Sequence, residues 1–381
     1  MTDISVARVV EWLTRLVQIP SVGPENAGPR SGPSSEAALA AALSEWFTQF
    51  GARVEQEEVF PGRPNLYAMW PNPDSDRWLA VDIHTDTVGV ETMQGDPFDG
   101  RVADGRVYGR GSVDTKATLA ILLTILETLQ QRGQRLNFNL LISAPVAEET
   151  GVIGAPVFAR WVRQQSFKLD QLIVAEPTLC APVHGHRGSV GIILEIEGVA
   201  AHSAQPQFGK NAIVGAASVI HALDAHHQQL IAVPPTPLGT GTATVTVING
   251  GQAHNIVPDR CRLNVDRRLT LGEVPEAAAQ VIHERAQAAT SLAVSLTIKH
   301  QFYPFYQSAE ADLVGQLAVW SGRAPEVVGY GTDAAFYDGL ARECVVFGPG
   351  SIEQAHRDVE WVEIAELEKA LGIYEKWLGV E

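Results

Sequence analysis

The chain has 381 residues, 45% hydrophobic and 19% charged, which is too long for one ordinary hydrophobic core and carries no compositional sign of disorder. Its formal net charge of -16, from 28 Lys and Arg against 44 Asp and Glu, argues against nucleic acid or an anionic membrane as partner. Three widely spaced cysteines (Cys180, Cys261, Cys344) without a CxxC pair, no basic-then-apolar leader and no apolar run of membrane-spanning length predict a soluble cytoplasmic protein with reduced thiols.

Residues 3–18 place Val6, Val9, Val10, Leu13, Leu16 and Val17 at helical spacing, with Asp3 as the expected cap. Pro20 ends that helix, 20–34 read as a loop, and a second helix over 35–50 closes at Gly51. Strands are expected at 52–59, 65–70 and 78–84, the last running into His84-Thr-Asp86. Asp104-Gly105 marks a turn, and Gly109-Arg-Gly111-Ser-Val-Asp114 leads into a long helix over 115–132. A strand over 137–144 stops at Pro145 ahead of Ala147-Glu148-Glu149-Thr150-Gly151, and a buried strand ends in Glu176-Pro177 after a short helix. Alternating strands and helices with polar residues gathered beyond strand ends describe an α/β sheet with its site at one edge.

Near Gly185–Gly188 the pattern changes. A half-exposed strand (189–197), a helix (210–225), two strands (240–249 and 259–269), a helix (273–290) and a strand (292–299) give the order βαββαβ, a ferredoxin-like unit. A helix near 309–321, a strand at 343–347 and a helix over 361–378 return to α/β character. The expected organisation is a catalytic domain with a mixed central sheet flanked by helices, in two parts (1–186 and 300–381), around an inserted domain (187–299).

His84, Asp86, Asp114, Glu148, Glu149, Glu176 and His356 all fall on loops beyond strands of the outer, discontinuous domain. Singly, each is an ordinary surface residue. Together, five carboxylates cannot converge without raising one another's pKa values, so their convergence implies a cation. Histidine with carboxylate and no thiolate suits Zn, and also Co or Mn. The set is large enough for two ions about 3.5 to 4 Å apart sharing a carboxylate, with Glu148 beside Glu149 left as a general base. A dinucleotide fingerprint, a Gly-x-Ser-x-Gly elbow, a His-Glu-x-x-His helix and a phosphate loop are all missing, so nucleotide and serine-hydrolase chemistry is set aside.

The ordered motifs His84-Thr-Asp86, Tyr108-Gly-Arg-Gly-Ser-Val-Asp114-Thr-Lys116, Ala147-Glu148-Glu149-Thr-Gly151, Ala175-Glu176-Pro177-Thr178, Gly185-His-Arg-Gly188, Ala201-His202-Ser203 and Phe347-Gly-Pro-Gly-Ser-Ile-Glu-Gln-Ala-His356 span nearly the whole chain. They resemble the zinc amidohydrolase and metallopeptidase family that includes acetylornithine deacetylase, succinyl-diaminopimelate desuccinylase, aminoacylase and the glutamate carboxypeptidases. One departure is Ala117, where the family often has Gly after the lysine.

The resemblance implies two zinc ions per subunit (Co or Mn being alternatives), with His84 and Glu176 on one, Glu149 and His356 on the other, and Asp114 bridging. It implies that Asp86 hydrogen-bonds the His84 ring, that Glu148 is the general base, and that His202 reaches a neighbouring site across a homodimer formed by the inserted lid domain. It further implies substrate contacts from Asn255, from Arg268 rather than Arg267, and from the backbone at Gly331 and Thr332. The expected reaction is hydrolysis of the amide of an N-acyl amino acid, acetylornithine first. A dipeptidase, a carboxypeptidase or a desuccinylase of the same family is the alternative, and a non-catalytic scaffold that keeps the fold is the remote one.

Overall fold

The computed structural model describes residues 4–33 and 35–380; the expected cap Asp3 and the last residue of the expected loop, Ser34, lie outside the described residues. The first helix, Val6–Val17, is capped by Ser5, whose side chain accepts the Arg8 backbone N–H. The chain divides into two compact units, one formed by Met1–His184, Gln307–Glu326 and Thr332–Glu381, the other by Gly185–Tyr306 and Val327–Gly331.

In the first unit, strands Asn139–Ala144, Trp78–Asp82, Leu169–Val174 and Ala341–Val346 lie side by side and parallel. Arg63–Trp70 joins antiparallel to Asn139–Ala144, and Arg53–Phe60 antiparallel to Arg63–Trp70, which makes the sheet mixed. The parallel strands are buried along most of their length because both faces are covered. Helix Lys116–Arg132 is buried from Lys116 to Leu126, packed against helices Val6–Val17 and Ile364–Leu378. Its apolar sequence on all sides fits that central place. Lys116, itself buried, donates from Nζ to the Leu16 and Ile19 carbonyls at 3.1 and 2.8 Å, satisfying acceptors at the end of the first helix.

Strand Trp78–Asp82 is shorter than the expected 78–84, yet its hydrogen bonding continues: Ile83 donates to Ser143 at 2.9 Å and Thr85 to Pro145 at 2.8 Å. A small three-stranded sheet of Val102–Ala103, Arg106–Tyr108 and Trp361–Glu363 interrupts what reads as loop, so the last helix begins at Ile364 instead of 361.

The second unit is a four-stranded antiparallel sheet, in spatial order Thr242–Gly250, Arg260–Leu269, Gly188–Glu197 and Ala293–Phe302, with helices Ala212–Ile231 and Pro275–Ala288 packed on it. Its chain order is βαββαβ. Gly185–His186 and Phe305–Tyr306, flanking this sheet in sequence, pair antiparallel with each other. Among the described residues no helix is long and apolar enough to cross a membrane.

Candidate metal centre

Parallel strands end at one edge of a sheet, so side chains placed just past those ends meet. His84 follows Trp78–Asp82, Glu148 and Glu149 follow Asn139–Ala144, Glu176 follows Leu169–Val174, and His356 lies on the loop after Ala341–Val346. Asp114 reaches the same edge from the start of helix Lys116–Arg132, where the Asp114–Thr115 peptide is cis. The loops are stitched together: Ala175 donates to Asp82 at 2.8 Å, Thr115 Oγ1 to the Ala175 carbonyl at 3.2 Å, and Cys180 to the Gly348 carbonyl at 2.9 Å. Residue 348 must be glycine for this, since a Cβ there would sit 2.6 Å from the Glu176 carbonyl oxygen.

His84 Nε2 stands 3.1 Å from Asp114 Oδ1, and His356 Nε2 stands 3.2 Å from Asp114 Oδ2 and 3.0 Å from Glu149. Among the described residues three donor groups emerge, each with its ligand atoms within 4.8 Å of one another: His84 with Asp114 and Glu176; Asp114 with Glu149 and His356; His84 with Glu148 and Glu149. Asp114 is common to the first two and offers one oxygen to each histidine.

His84, Asp114 and Glu176 are buried, and the site's charge is badly matched to that burial. Burial, reinforced by Asp114, Glu148 and Glu149, pushes Glu176 well above the usual carboxylate range. Burial with Glu149, Asp86 and Asp114 does the same to Glu148, and burial with Asp114 raises Glu149 to about 7. Asp114 moves the other way against its own burial, held low by His356 and His84. His356 is raised to about 10 by its hydrogen bonds to Asp114 and Glu149. Protons here do what a divalent cation does elsewhere, so an oxygen- and imidazole-rich donor set of this kind fits a metal centre.

Asp86 differs from expectation. Its carboxylate lies 3.6 Å from His84 Nδ1, too far for a hydrogen bond; that ring N–H donates to the Asp86 main-chain carbonyl at 3.0 Å instead. The carboxylate is occupied by the backbone N–H groups of Glu148 and Glu149, at 2.9 and 3.0 Å, which the tight turn leaves without main-chain acceptors. The tautomer this sets for His84 still leaves the Nε2 lone pair facing Asp114.

The other expected site residues divide between the units. His202 and Asn255 are neighbours in the second: Ala201–His202 pairs with Ile256–Val257, and Ser203 donates to the Asn255 carbonyl at 2.9 Å. His202 is exposed, with Nδ1 accepting the Ala204 N–H at 3.1 Å. Arg267 is buried in an ion pair with Glu273, whereas Arg268, on the other face of the strand, is half-buried and pairs with Asp266 at 3.0 Å. Gly331 closes the second unit against the Phe302 ring; Thr332 is buried in the first and caps the short turn Asp333–Phe336.

Sequence reasoning missed Glu36, Arg63, Asn65, Arg110 and Glu360. Glu360 Oε1 accepts the Val113 and Asp114 backbone N–H groups at 3.0 and 3.3 Å, and its Oε2 pairs with Arg110 at 2.5 Å.

The model of peptidase family M20/M25/M40 matches residues 80–379. The chain belongs to that family. It is 29% identical over 348 residues to an acetylornithine deacetylase of Aliivibrio salmonicida, covering 88% of this chain and 89% of the relative. Among solved structures it resembles the aminopeptidase PepT of Bacillus cereus, with a TM-score of 0.76 and 22% identity over 97% of both chains. It also resembles Bacillus subtilis YXEP, described as a dinuclear metal-binding M20 peptidase, with a TM-score of 0.67 and 15% identity over 98% and 97%. As an M20 chain it is a metal-dependent hydrolase of the metallopeptidase and amidohydrolase type.

Proposed function

We propose that this M20 chain removes the acyl group from an N-acyl amino acid, with acetylornithine or a close N-acetyl amino acid as substrate. One observation carries the reading: His84, Asp114, Glu149, Glu176 and His356 form overlapping donor groups with Glu148 beside them. The likeness to acetylornithine deacetylases supports the substrate class. We assign His84 and Glu176 to one zinc ion, Glu149 and His356 to a second, and Asp114 to both, with Co or Mn as possible substitutes.

Two cations held there would polarise the scissile carbonyl and make water acidic enough to attack near neutral pH. Glu148 takes the proton from that water on its carboxylate and passes it to the departing amine nitrogen. Asp86 fixes the backbone of Glu148 and Glu149, and its carbonyl orients His84. To His202 and Asn255 we assign the negative charge developing on the carbonyl oxygen, to Arg268 the substrate carboxylate, and to the backbone at Gly331 and Thr332 a further donor.

We further infer a homodimer through the second unit, which acts as lid and dimerisation domain, so that His202 serves the partner's site. Strand Thr242–Gly250 is an edge of its sheet and exposes Val247 (40%) and Ile248 (50%), while the adjoining helix Ala212–Ile231 exposes Ile213 (39%) and Val214 (63%). An open strand edge flanked by apolar side chains is a surface suited to pairing with another chain. Three buried, unpaired cysteines support a reducing, cytoplasmic location.

The test is turnover of a panel of N-acetyl amino acids, succinyl-diaminopimelate and dipeptides in the presence of Zn or Co. Preference for N-acetyl amino acids is expected. Dipeptides alone would make the chain a peptidase, and no turnover of any panel member by metal-loaded protein would make it a non-catalytic member of the family.

A further inference from the structure

The turn that carries Glu148 and Glu149 closes on itself. Gly154 donates to the Val146 carbonyl and Ile153 to the Ala147 carbonyl, both at 3.0 Å, and Gly151 and Val152 donate to Glu148 at 3.1 and 2.9 Å. A Cβ at position 154 would lie 2.5 Å from the Val146 carbonyl oxygen, so only glycine allows this closure. Four consecutive amides are satisfied by side chains from elsewhere. Val146 donates to Asn65 Oδ1 at 3.0 Å, Ala147 to Glu36 Oε1 at 3.3 Å, and Glu148 and Glu149 to the two oxygens of Asp86.

Ala147 sits in the middle of this row with φ at +58°, a left-handed backbone that its Cβ disfavours. Something must hold it there. Its partner Glu36 is fully buried and gripped by Arg63, whose Nε and Nη2 donate to the two carboxylate oxygens at 2.7 Å each. A third Arg63 nitrogen donates to Glu25 at 3.0 Å, so the guanidinium is also fixed from the far side. Planar, bidentate Arg–carboxylate pairs lock orientation as well as position. Glu36 thus presents a rigid acceptor to the residue before Glu148.

We propose that Glu36, clamped by Arg63, is a positioning residue: by accepting the Ala147 N–H it sets the direction in which the turn delivers Glu148 and Glu149. The proposal rests on the roles assigned to those two residues above. What matters is an oxygen at this place; the buried charges are the means of fixing it.

Two double variants separate that role from simple stabilisation. Arg63→Met with Glu36→Gln removes both buried charges and keeps an acceptor for Ala147; Arg63→Met with Glu36→Leu removes the charges and the acceptor. Neither leaves a buried charge unpaired, so both are expected to fold, as far-ultraviolet circular dichroism and thermal midpoints will report. The Leu variant should show kcat about 10 to 100-fold below the Gln variant, with KM within about threefold, and Zn binding weakened on the same scale in chelator competition. Equal kcat and equal Zn affinity in the two variants would overturn the proposal and leave Glu36 a structural residue. A wild-type protein that binds no Zn and hydrolyses no amide would instead overturn the reading of the site itself.

Discussion

Glu360 accepts the backbone N–H of Asp114 at 3.3 Å across 246 residues of chain, and the N–H of Val113 at 3.0 Å with the same oxygen. Its other oxygen is held by Arg110, which also donates to the Arg357 carbonyl next to His356. One buried carboxylate therefore ties the Asp114 turn to the loop that brings His356. Glu360→Ala would strand the buried Arg110 charge and two amides, with an expected loss of about 3 to 5 kcal/mol in urea unfolding. Glu360→Gln, which keeps an acceptor, should lose less, and equal losses would refute the role of the amide bonds.

Glu148 is half-buried beside His84 and Glu149 but ligates neither ion in the assignment above. Replacing it by Ala should leave metal content at the wild-type level while kcat falls about 10² to 10⁴-fold. Metal analysis and single-turnover rates on the same sample check this. Full activity in the variant would remove Glu148 from the mechanism.

Stripping metal with a chelator should inactivate the protein and lower its thermal midpoint, because repulsion among Glu148, Glu149 and Glu176 returns when the cations leave. Zn or Co, added back, should restore both. An unchanged midpoint would mean that the donor groups hold no ion in the folded protein.

His186, which is none of the assigned metal ligands, supplies a separate pH dependence. It is fully buried; Nδ1–H donates to the Arg187 carbonyl at 3.0 Å, and burial pushes its pKa down to about 4. Between the unfolded value, about 6.5, and the folded one, the unfolded chain takes a proton that the folded chain refuses. Stability contributed by neutral His186 is therefore intact above about pH 6.5 and lost as pH falls towards 4, by about 2 kcal/mol at about pH 5. Urea unfolding of wild type and His186→Gln at about pH 7.5 and 5 should differ by that amount in their pH response; identical responses would count against it.

Mixing His202→Ala protein with Glu148→Ala protein should regain part of the wild-type activity, because in a mixed dimer one site receives an intact His202 from the neighbour and keeps its own Glu148. Demonstrated heterodimers without activity would confine His202 to its own subunit or exclude it.

How much of this was legible in the sequence follows from how local each signal is. His84, Glu149 and Glu176 stand directly beyond apolar strands, so the pattern that gives the strand also gives the place of the ligand. The βαββαβ order was readable because each strand and helix of that unit has its own periodicity. Glu36, Asn65 and Glu360 touch backbone amides 81 to 247 residues away, and no periodicity distinguishes such a residue from a solvated one. The same limit explains Asp86: the resemblance implied a carboxylate against the His84 ring, but the amides of the Glu148 turn compete for it. Strands of two or three residues, such as Val102–Ala103 and Trp361–Glu363, are too short to alternate visibly.

Cys180 and Cys344 lie in the first unit and Cys261 in the second, all three sequestered from solvent, with burial raising Cys180 to about 12 and the other two above their usual value. A thiolate is the reactive form, so none will meet an alkylating reagent until its surroundings open. The molecule thus carries its own unfolding clock. Labelling rates at Cys261 and at the other two, read by peptide mass, would time the opening of each unit separately without adding any probe.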